Sequence, residues 1–101
     1  MMKDVIVIGG GVIGLSVAYE LAGQGVSVKL LEQRALGREA SWAGAGILPP
    51  GNPAQAESPL ARLRGESAVT WPTLSRQLLE ETGIDNGFRN CGGLRVALSG
   101  A

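Results

Sequence analysis

A glycine-rich turn between an apolar run and a helical pattern limits most strongly what this chain can fold into. Residues 4–8 (DVIVI) are almost all β-branched and apolar, which is typical of a central parallel strand buried on both faces. Residues 9–14 (GGGVIG) follow at once and satisfy the pattern G-x-G-x-x-G. From Val12 to Ala22 the apolar spacing becomes helical. A strand, a glycine turn and a helix in this order indicate a nucleotide-binding unit.

A second apolar run completes a βαβ unit. We expect Gly23 to cap the helix and Gly25 to turn the chain into a strand over 26–32, which ends in Glu32. An acidic residue about 20 residues beyond the glycine turn can accept hydrogen bonds from ribose hydroxyls, and it repels a 2′-phosphate. NAD and FAD therefore remain as ligands, whereas NADP is disfavoured.

Each glycine of the turn has a predicted mechanical role. Gly9 allows the tight turn out of the strand, Gly11 lets the backbone approach a pyrophosphate, and Gly14 lets the helix pack against the strands. The amides of Val12 and Ile13 at the helix start provide positive potential for phosphates. The alternative interpretation is a βαβ unit whose glycines serve packing alone.

The middle of the chain predicts an irregular segment and then a long helix. Residues 33–57 lack an apolar period, and they include a run of small residues and a proline-rich stretch. Ser58 is a predicted N-cap with Pro59 at the first helical position, and Gly83 ends the helix. Because Pro72 interrupts the amphipathic pattern, we expect a kinked helix or two coaxial pieces. An apolar stripe on this helix is expected to be core; it comprises Leu60, Leu63, Ser67, Trp71, Leu74 and Leu78.

The end of the chain predicts two short strands. Residues 87–91 and 93–98 are interpreted as short strands around a Gly-Gly turn. Arg89 and Arg95 are interpreted as surface strand positions. Cys91 is interpreted as a small buried or turn residue.

Missing residue types exclude several classes of site. The chain has no His and one Cys, so it cannot alone form a Ser-His-Asp triad, a His-ligated metal site, an internal disulfide or a thiolate cluster. Nine Lys and Arg balance nine Asp and Glu without a basic cluster, which argues against nucleic acid and membrane surfaces as partners. The apolar run 5–19 is too short and too rich in glycine for a membrane span or a signal peptide. We therefore expect a cytoplasmic protein.

The stretch after Glu32 separates FAD from NAD. An NAD-binding domain would soon enter another helix and strand, whereas here a short loop leads into 40–48 (ASWAGAGIL). The sequence resembles the D-amino-acid oxidase family of FAD-dependent oxidoreductases, most of all its glycine oxidase branch, used in thiamin biosynthesis. The matching stretches are IGGGVIGLSVAYELAGQGVSVKLLEQ, GREASWAGAGILPP, WPTLSRQLLEETGID and NCGGLRVAL.

The resemblance implies FAD as the cofactor and a set of residues around it. Glu32 would bind the adenosine ribose, and Ser41 would lie near the phosphates and the ribityl chain. The small residues from Gly44 onward would run beside the flavin ring, whereas Trp42 departs from the small residue expected at its position. The implied cofactor-binding residues are Gly9, Gly11, Val12, Ile13, Gly14, Glu32, Gln33, Arg34, Ala40, Ser41, Gly44, Ala45, Gly46 and Ile47.

The resemblance also implies an N-terminal piece of a longer enzyme. Residues 1–86 would belong to an α/β, Rossmann-like FAD-binding domain, and 87–101 would be the first strands leading into a substrate domain that lies outside this chain. The full protein would oxidise a small amino acid or amine, such as glycine, sarcosine or a D-amino acid, by hydride transfer to flavin. No residue here has a claim to be catalytic, and the piece alone should be inactive and prone to self-association. The alternatives are an NAD-binding module of a dehydrogenase and a non-enzymatic α/β interaction domain.

Overall fold

The computed structural model describes residues 3–94 and 96–99. These residues form two compact units, one ending at Ile47 and the other beginning at Leu48. The elements in chain order are β1 (Val5–Ile8), α1 (Val12–Gly23), β2 (Val28–Leu31), α2 (Ala40–Ala43), a 3-10 turn (Pro53–Gln55) and α3 (Pro59–Thr82). The predicted mixed α/β class is confirmed in its strand–helix–strand unit and its long helix.

The two strands form a parallel sheet joined by α1. Val5 lies opposite Val28, and Ile8 lies opposite Leu31. Both strands are shorter than predicted, since β1 begins at Val5 and β2 begins at Val28. The carbonyl of Ser27 accepts the amides of both Asp4 and Val5, so regular pairing starts only beyond it.

One face of this sheet is covered and the other is open. Val5 and Val7 are half-buried, whereas Ile6 and Ile8 are 57% and 85% exposed. Gly14 of α1 faces Val7, which identifies the covered face. The expectation that β1 is buried on both faces is wrong for the described residues, because a single helix can cover only one side of a sheet.

The helix α1 ends one residue later than predicted, and its left-handed glycine lies two residues beyond the predicted cap. The helix includes Gly23, and the left-handed conformation falls on Gly25, whose φ is 82°. The Gly25 amide donates to the Ala22 carbonyl and the Val26 amide to the Leu21 carbonyl, both at 3.0 Å. This is the double hydrogen bond of a Schellman motif, and it needs the glycine at 25, not at 23.

Residues 33–57 are mostly irregular, but not wholly so. The segment of small residues contains α2, a single helical turn. At its start the Glu39 carbonyl accepts the Trp42 and Ala43 amides. The expectation of a plain loop over these residues is therefore wrong. Alanine has the highest helix propensity, so a run of small residues can close one turn as readily as it can stay extended.

The long helix α3 has the predicted ends. The Ser58 hydroxyl oxygen accepts the Ala61 amide at 3.1 Å, with Pro59 as the first helical residue. At the other end Gly83 has a φ of 71°, and its amide donates to the Leu79 carbonyl at 2.8 Å. The helix continues through Pro72 as one element, so the alternative of two pieces is not observed; the kink stays a prediction.

Only part of the predicted core stripe on α3 is covered. Trp71, Leu74 and Leu78 are half-buried, and the Trp71 ring stacks on Phe88 at a centroid distance of 6.1 Å. Leu60 and Leu63 are 55% and 67% exposed. The prediction that Leu60 and Leu63 belong to a core is therefore wrong for the described residues.

The two predicted C-terminal strands do not form in the described residues. Residues 84–94 and 96–97 contain no strand, and Arg95 lies outside the described residues. A strand needs a partner to pair with, and the sheet of the described residues consists of β1 and β2 alone. Local hydrogen bonds shape this segment, including an ion pair of Arg89 with Asp85 at 3.0 Å. Cys91 is exposed, so its buried interpretation is wrong.

Candidate functional site

The glycine turn follows β1 and is shaped by two of its glycines. Gly9 has a φ of 105°, in the region that favours glycine. A Cβ built at Gly14 would overlap the Gly9 carbonyl oxygen and would also meet Val7 Cγ1 at 3.4 Å. The turning role predicted for Gly9 and the packing role predicted for Gly14 are therefore both present in the structure.

The start of α1 presents backbone amides with little to neutralise them. Gly11 is the N-cap and has no side chain to accept a hydrogen bond, and the first turn contains no acidic residue. The first amides of a helix lack acceptors within the helix, which makes this end attractive to anions. The Val12 amide donates to the Ser41 hydroxyl oxygen at 2.8 Å, so α2 places Ser41 directly at the start of α1.

Glu32 follows β2 and points back towards the glycine turn. Its Oε2 accepts the Gly10 amide at 2.7 Å, and its Oε1 accepts the Arg34 amide at 3.0 Å. These hydrogen bonds, that of Gly10 first, lower the pKa of the Glu32 carboxyl below its ordinary value of 4.5. The side chain is a stable anion at neutral pH, with lone pairs left on both oxygens.

The remaining predicted site residues are exposed. The Arg34 guanidinium is 3.3 Å from the Glu39 carboxylate, and both side chains are exposed. Trp42 is 67% exposed, with the Arg38 guanidinium 4.2 Å above its ring, so its large side chain stands at the surface. Exposed positions include Ile13, Gln33, Ala40, Gly44, Ala45, Gly46 and Ile47.

The structure thus brings together part of the predicted set. Gly11 and Val12 meet Ser41, while Glu32 meets the turn at Gly10. Gly10 is a residue that the sequence motif does not single out, since its position in G-x-G-x-x-G accepts any residue. It is nevertheless buried, and three consecutive glycines were the only signal in the sequence that could have pointed to it.

The donors and acceptors of this site suit a dinucleotide. A turn without side chains and a helix start with free positive potential fit a pyrophosphate, and a nearby carboxylate fits ribose hydroxyls. Over residues 3–94 and 96–99, no group of three His, Cys, Asp or Glu is arranged to hold a metal ion. In the same residues, no helix has the length and apolar character needed to cross a membrane.

Comparisons with known proteins agree with this geometry. Residues 4–101 match the protein family described as FAD dependent oxidoreductase. Glycine oxidase of Pseudomonas aeruginosa is 46% identical over 85 residues, which are 84% of this chain and 23% of that protein. Human mitochondrial sarcosine dehydrogenase is 39% identical over 95 residues, 93% of this chain and 10% of that protein. The crystal structure of glycine oxidase from Bacillus cereus matches with a TM-score of 0.77 and 43% identity, over 87% of this chain and 24% of that one.

These matches cover most of the chain but a minor part of each relative. The chain spans about a quarter or less of the length of the relatives it matches. The shared part contains the glycine turn, Glu32 and α2. The resemblance drawn from the sequence is confirmed: the chain belongs to the D-amino-acid oxidase-like family of FAD-dependent oxidoreductases, whose cofactor is FAD.

Proposed function

We propose that this chain forms the N-terminal FAD-binding part of a longer, cytoplasmic oxidoreductase that oxidises a small amino acid or amine. The observation that carries the proposal is the pairing of a glycine turn at the start of α1 with an ionised Glu32 directed at that turn. Family membership over residues 4–101 supports FAD as the dinucleotide.

Three groups of this chain would hold the nucleotide half of FAD. The Gly11 amide would donate to the pyrophosphate at the positive end of α1. The Glu32 carboxylate would accept the ribose hydroxyls. The Ser41 hydroxyl, whose oxygen accepts the Val12 amide at 2.8 Å, keeps its own proton free to donate to a phosphate oxygen. Ile13, Gln33, Arg34, Ala40 and residues 44–47 would complete the site around the nucleotide and the flavin.

The chemistry would be supplied by the cofactor and by parts of the protein outside this chain. FAD, when bound, accepts a hydride from the carbon next to the substrate amine. The residues of this chain bind and orient that cofactor, and we assign none of them to catalysis. Two of the reported relatives are glycine oxidases and one is a sarcosine dehydrogenase, so we propose glycine or a short N-methylated glycine as the substrate.

Absorption spectroscopy of the complete protein, meaning this chain with the rest of its polypeptide, tests the proposal. Flavin absorbs visible light and NAD does not, so the purified protein should be yellow or become so on loading with FAD. Glycine, sarcosine and D-amino acids are then compared as substrates, with peroxide production and reduction of a dye acceptor as the two readouts. A protein that binds NAD and no flavin would contradict the proposal.

A further inference from the structure

Gly10 is the most enclosed residue of the glycine turn, and a distant segment encloses it. Its amide donates to Glu32 Oε2 at 2.7 Å. Its carbonyl accepts the Gly37 amide at 2.8 Å. Both polar groups of this residue are therefore held by the loop 32–37 that follows β2.

The same loop also closes over the Gly10 α-carbon. A Cβ built at Gly10 would lie 2.5 Å from Leu36 Cδ2 and 3.1 Å from Glu32 Cβ. There is no room for a side chain between the turn and the loop unless Leu36 moves. The turn is thus fixed from outside itself, by hydrogen bonds and by packing.

The Glu32 carboxylate is itself held in orientation. Oε1 accepts the Arg34 amide at 3.0 Å while Oε2 accepts the Gly10 amide. A carboxylate has about four lone-pair sites, so it can accept ribose hydroxyls in addition to these backbone amides. Holding the turn and binding a ribose are therefore compatible in one side chain.

We propose that Glu32 is a positioning residue for the phosphate half of FAD as well as a ligand of its ribose. Through the Gly10 amide it holds the glycine turn in the shape that presents the Gly11 amide and the positive start of α1 to the pyrophosphate. This inference rests on the proposed function, since it concerns the same cofactor. It differs in that the effect of Glu32 reaches a part of the cofactor that Glu32 does not touch.

An FAD analogue built on 2′,3′-dideoxyadenosine separates the two roles, because its adenosine ribose has no hydroxyl for Glu32 to bind. Affinities of the complete protein for FAD and for this analogue are measured by quenching of flavin fluorescence. A ribose ligand alone predicts that Glu32→Ala weakens FAD binding and leaves analogue binding unchanged. A positioning role predicts that Glu32→Ala also weakens analogue binding, by about five- to tenfold for the loss of one charge-assisted hydrogen bond.

Glu20→Ala is the matched control. Glu20 is an exposed glutamate of α1 whose carboxylate accepts from the Gln24 side chain, so its removal should change neither affinity. Equal analogue affinity in wild type and Glu32→Ala overturns the positioning role and leaves the proposed function intact. Failure of the wild type to bind FAD overturns both.

Glu32→Gln keeps the inference testable if the alanine variant does not fold. Glutamine has the same size but only one acceptor oxygen, so it cannot keep the Gly10 and Arg34 bonds on two separate oxygens, as the carboxylate does. Its analogue affinity should fall between those of wild type and alanine. The Gly10 amide proton, followed by NMR in glycine-labelled complete protein, should shift upfield in Glu32→Gln, because a neutral acceptor replaces a charged one. An unchanged Gly10 resonance overturns the inference.

Discussion

At the scale of single residues, Gly14 and Gly23 of α1 differ in how closely the rest of the structure packs against them. Gly14 lies against the Gly9 carbonyl, and an added Cβ would overlap it, whereas a Cβ at Gly23 would meet nothing within 4 Å. Gly14 therefore serves the contact between helix and turn. Neither packing nor backbone conformation requires a glycine at position 23, because the left-handed residue at the end of this helix is Gly25.

Replacing each of these glycines with alanine should have opposite effects. Gly14→Ala must displace the Gly9 backbone, so we expect a loss of stability of about 1–3 kcal/mol or more and weaker FAD binding. Gly23→Ala removes a poor helix former and should stabilise the protein by roughly 0.5–1 kcal/mol. Thermal unfolding of the complete protein measures both. Similar stabilities for the two variants would contradict the packing role of Gly14.

The Asp85–Arg89 pair predicts a defined dependence on pH. The Arg89 side chain, and after it the Gly87 amide, lower the pKa of the Asp85 carboxyl below its ordinary value of 3.8. A carboxyl whose pKa is lowered on folding stabilises the folded state above its ordinary pKa. That contribution is lost as the pH falls from about 3.8 through the folded pKa.

Arg89→Gln should raise the pKa of Asp85 towards 3.8 without reaching it, because the Gly87 amide still donates to Oδ1 at 2.8 Å. Carbon-13 NMR of the aspartate carboxyl groups follows the titration residue by residue. If the Asp85 titration is the same with and without Arg89, the ion pair of the structure does not persist in solution.

At the scale of elements, the sequence predicts well those features that depend only on neighbouring residues. Ser58 and Gly83 mark the ends of α3 because capping depends on neighbouring amides and on φ alone. The strands predicted over 87–98 do not form in the described residues of that stretch. Strand pairing depends on residues far away in the sequence, and the sheet of the described residues pairs β1 with β2 alone.

The candidate site likewise contains features set by neighbouring residues and features set by distant ones. Gly9 and Gly14 could be assigned from the motif, since turn and packing follow from their spacing. The bond from Gly10 to Glu32 could not, because it joins residues 22 positions apart through the fold. The places of Arg34 and of 44–47 relative to the cofactor stay predictions.

Ser58→Ala should loosen the start of α3. The Ser58 side chain accepts the Ala61 amide, and loss of an N-cap of this kind costs about 1 kcal/mol. We expect faster amide hydrogen exchange at 60–62 in the complete protein, with exchange near Gly83 unchanged. Ser67→Ala, in the middle of the same helix, serves as the control. Exchange at 60–62 that is no faster in Ser58→Ala than in Ser67→Ala would show that the cap is not important.

At the scale of the whole chain, the most telling feature is the amount of apolar surface left open. Among the described residues no large hydrophobic side chain is fully buried. Ile6, Ile8 and Leu31 share the open face of the sheet, and Leu94 is 91% exposed. Open apolar faces and unpaired strand edges promote association between chains.

The isolated 101-residue chain should therefore self-associate and should not turn over substrate. Size-exclusion chromatography with light scattering gives the first result, and a peroxide assay with FAD and glycine gives the second. The complete protein under identical conditions is the control. A well-behaved monomer, or amine-dependent peroxide from the isolated chain, would contradict the view that this chain is one part of a larger enzyme.

A crystal structure of the complete protein with FAD is the most direct test of the proposed nucleotide site at the glycine turn and Glu32. We expect the pyrophosphate at the Gly11 amide and the start of α1, within reach of the Ser41 hydroxyl. We also expect both ribose hydroxyls within hydrogen-bond distance of the Glu32 carboxylate, about 2.6–3.2 Å. The Gly10 amide should still donate to Glu32 Oε2, to which it is hydrogen-bonded at 2.7 Å in the present structure. Electron density that places the nucleotide away from the glycine turn, with Glu32 bonded only to Gly10 and Arg34, would contradict the proposed site.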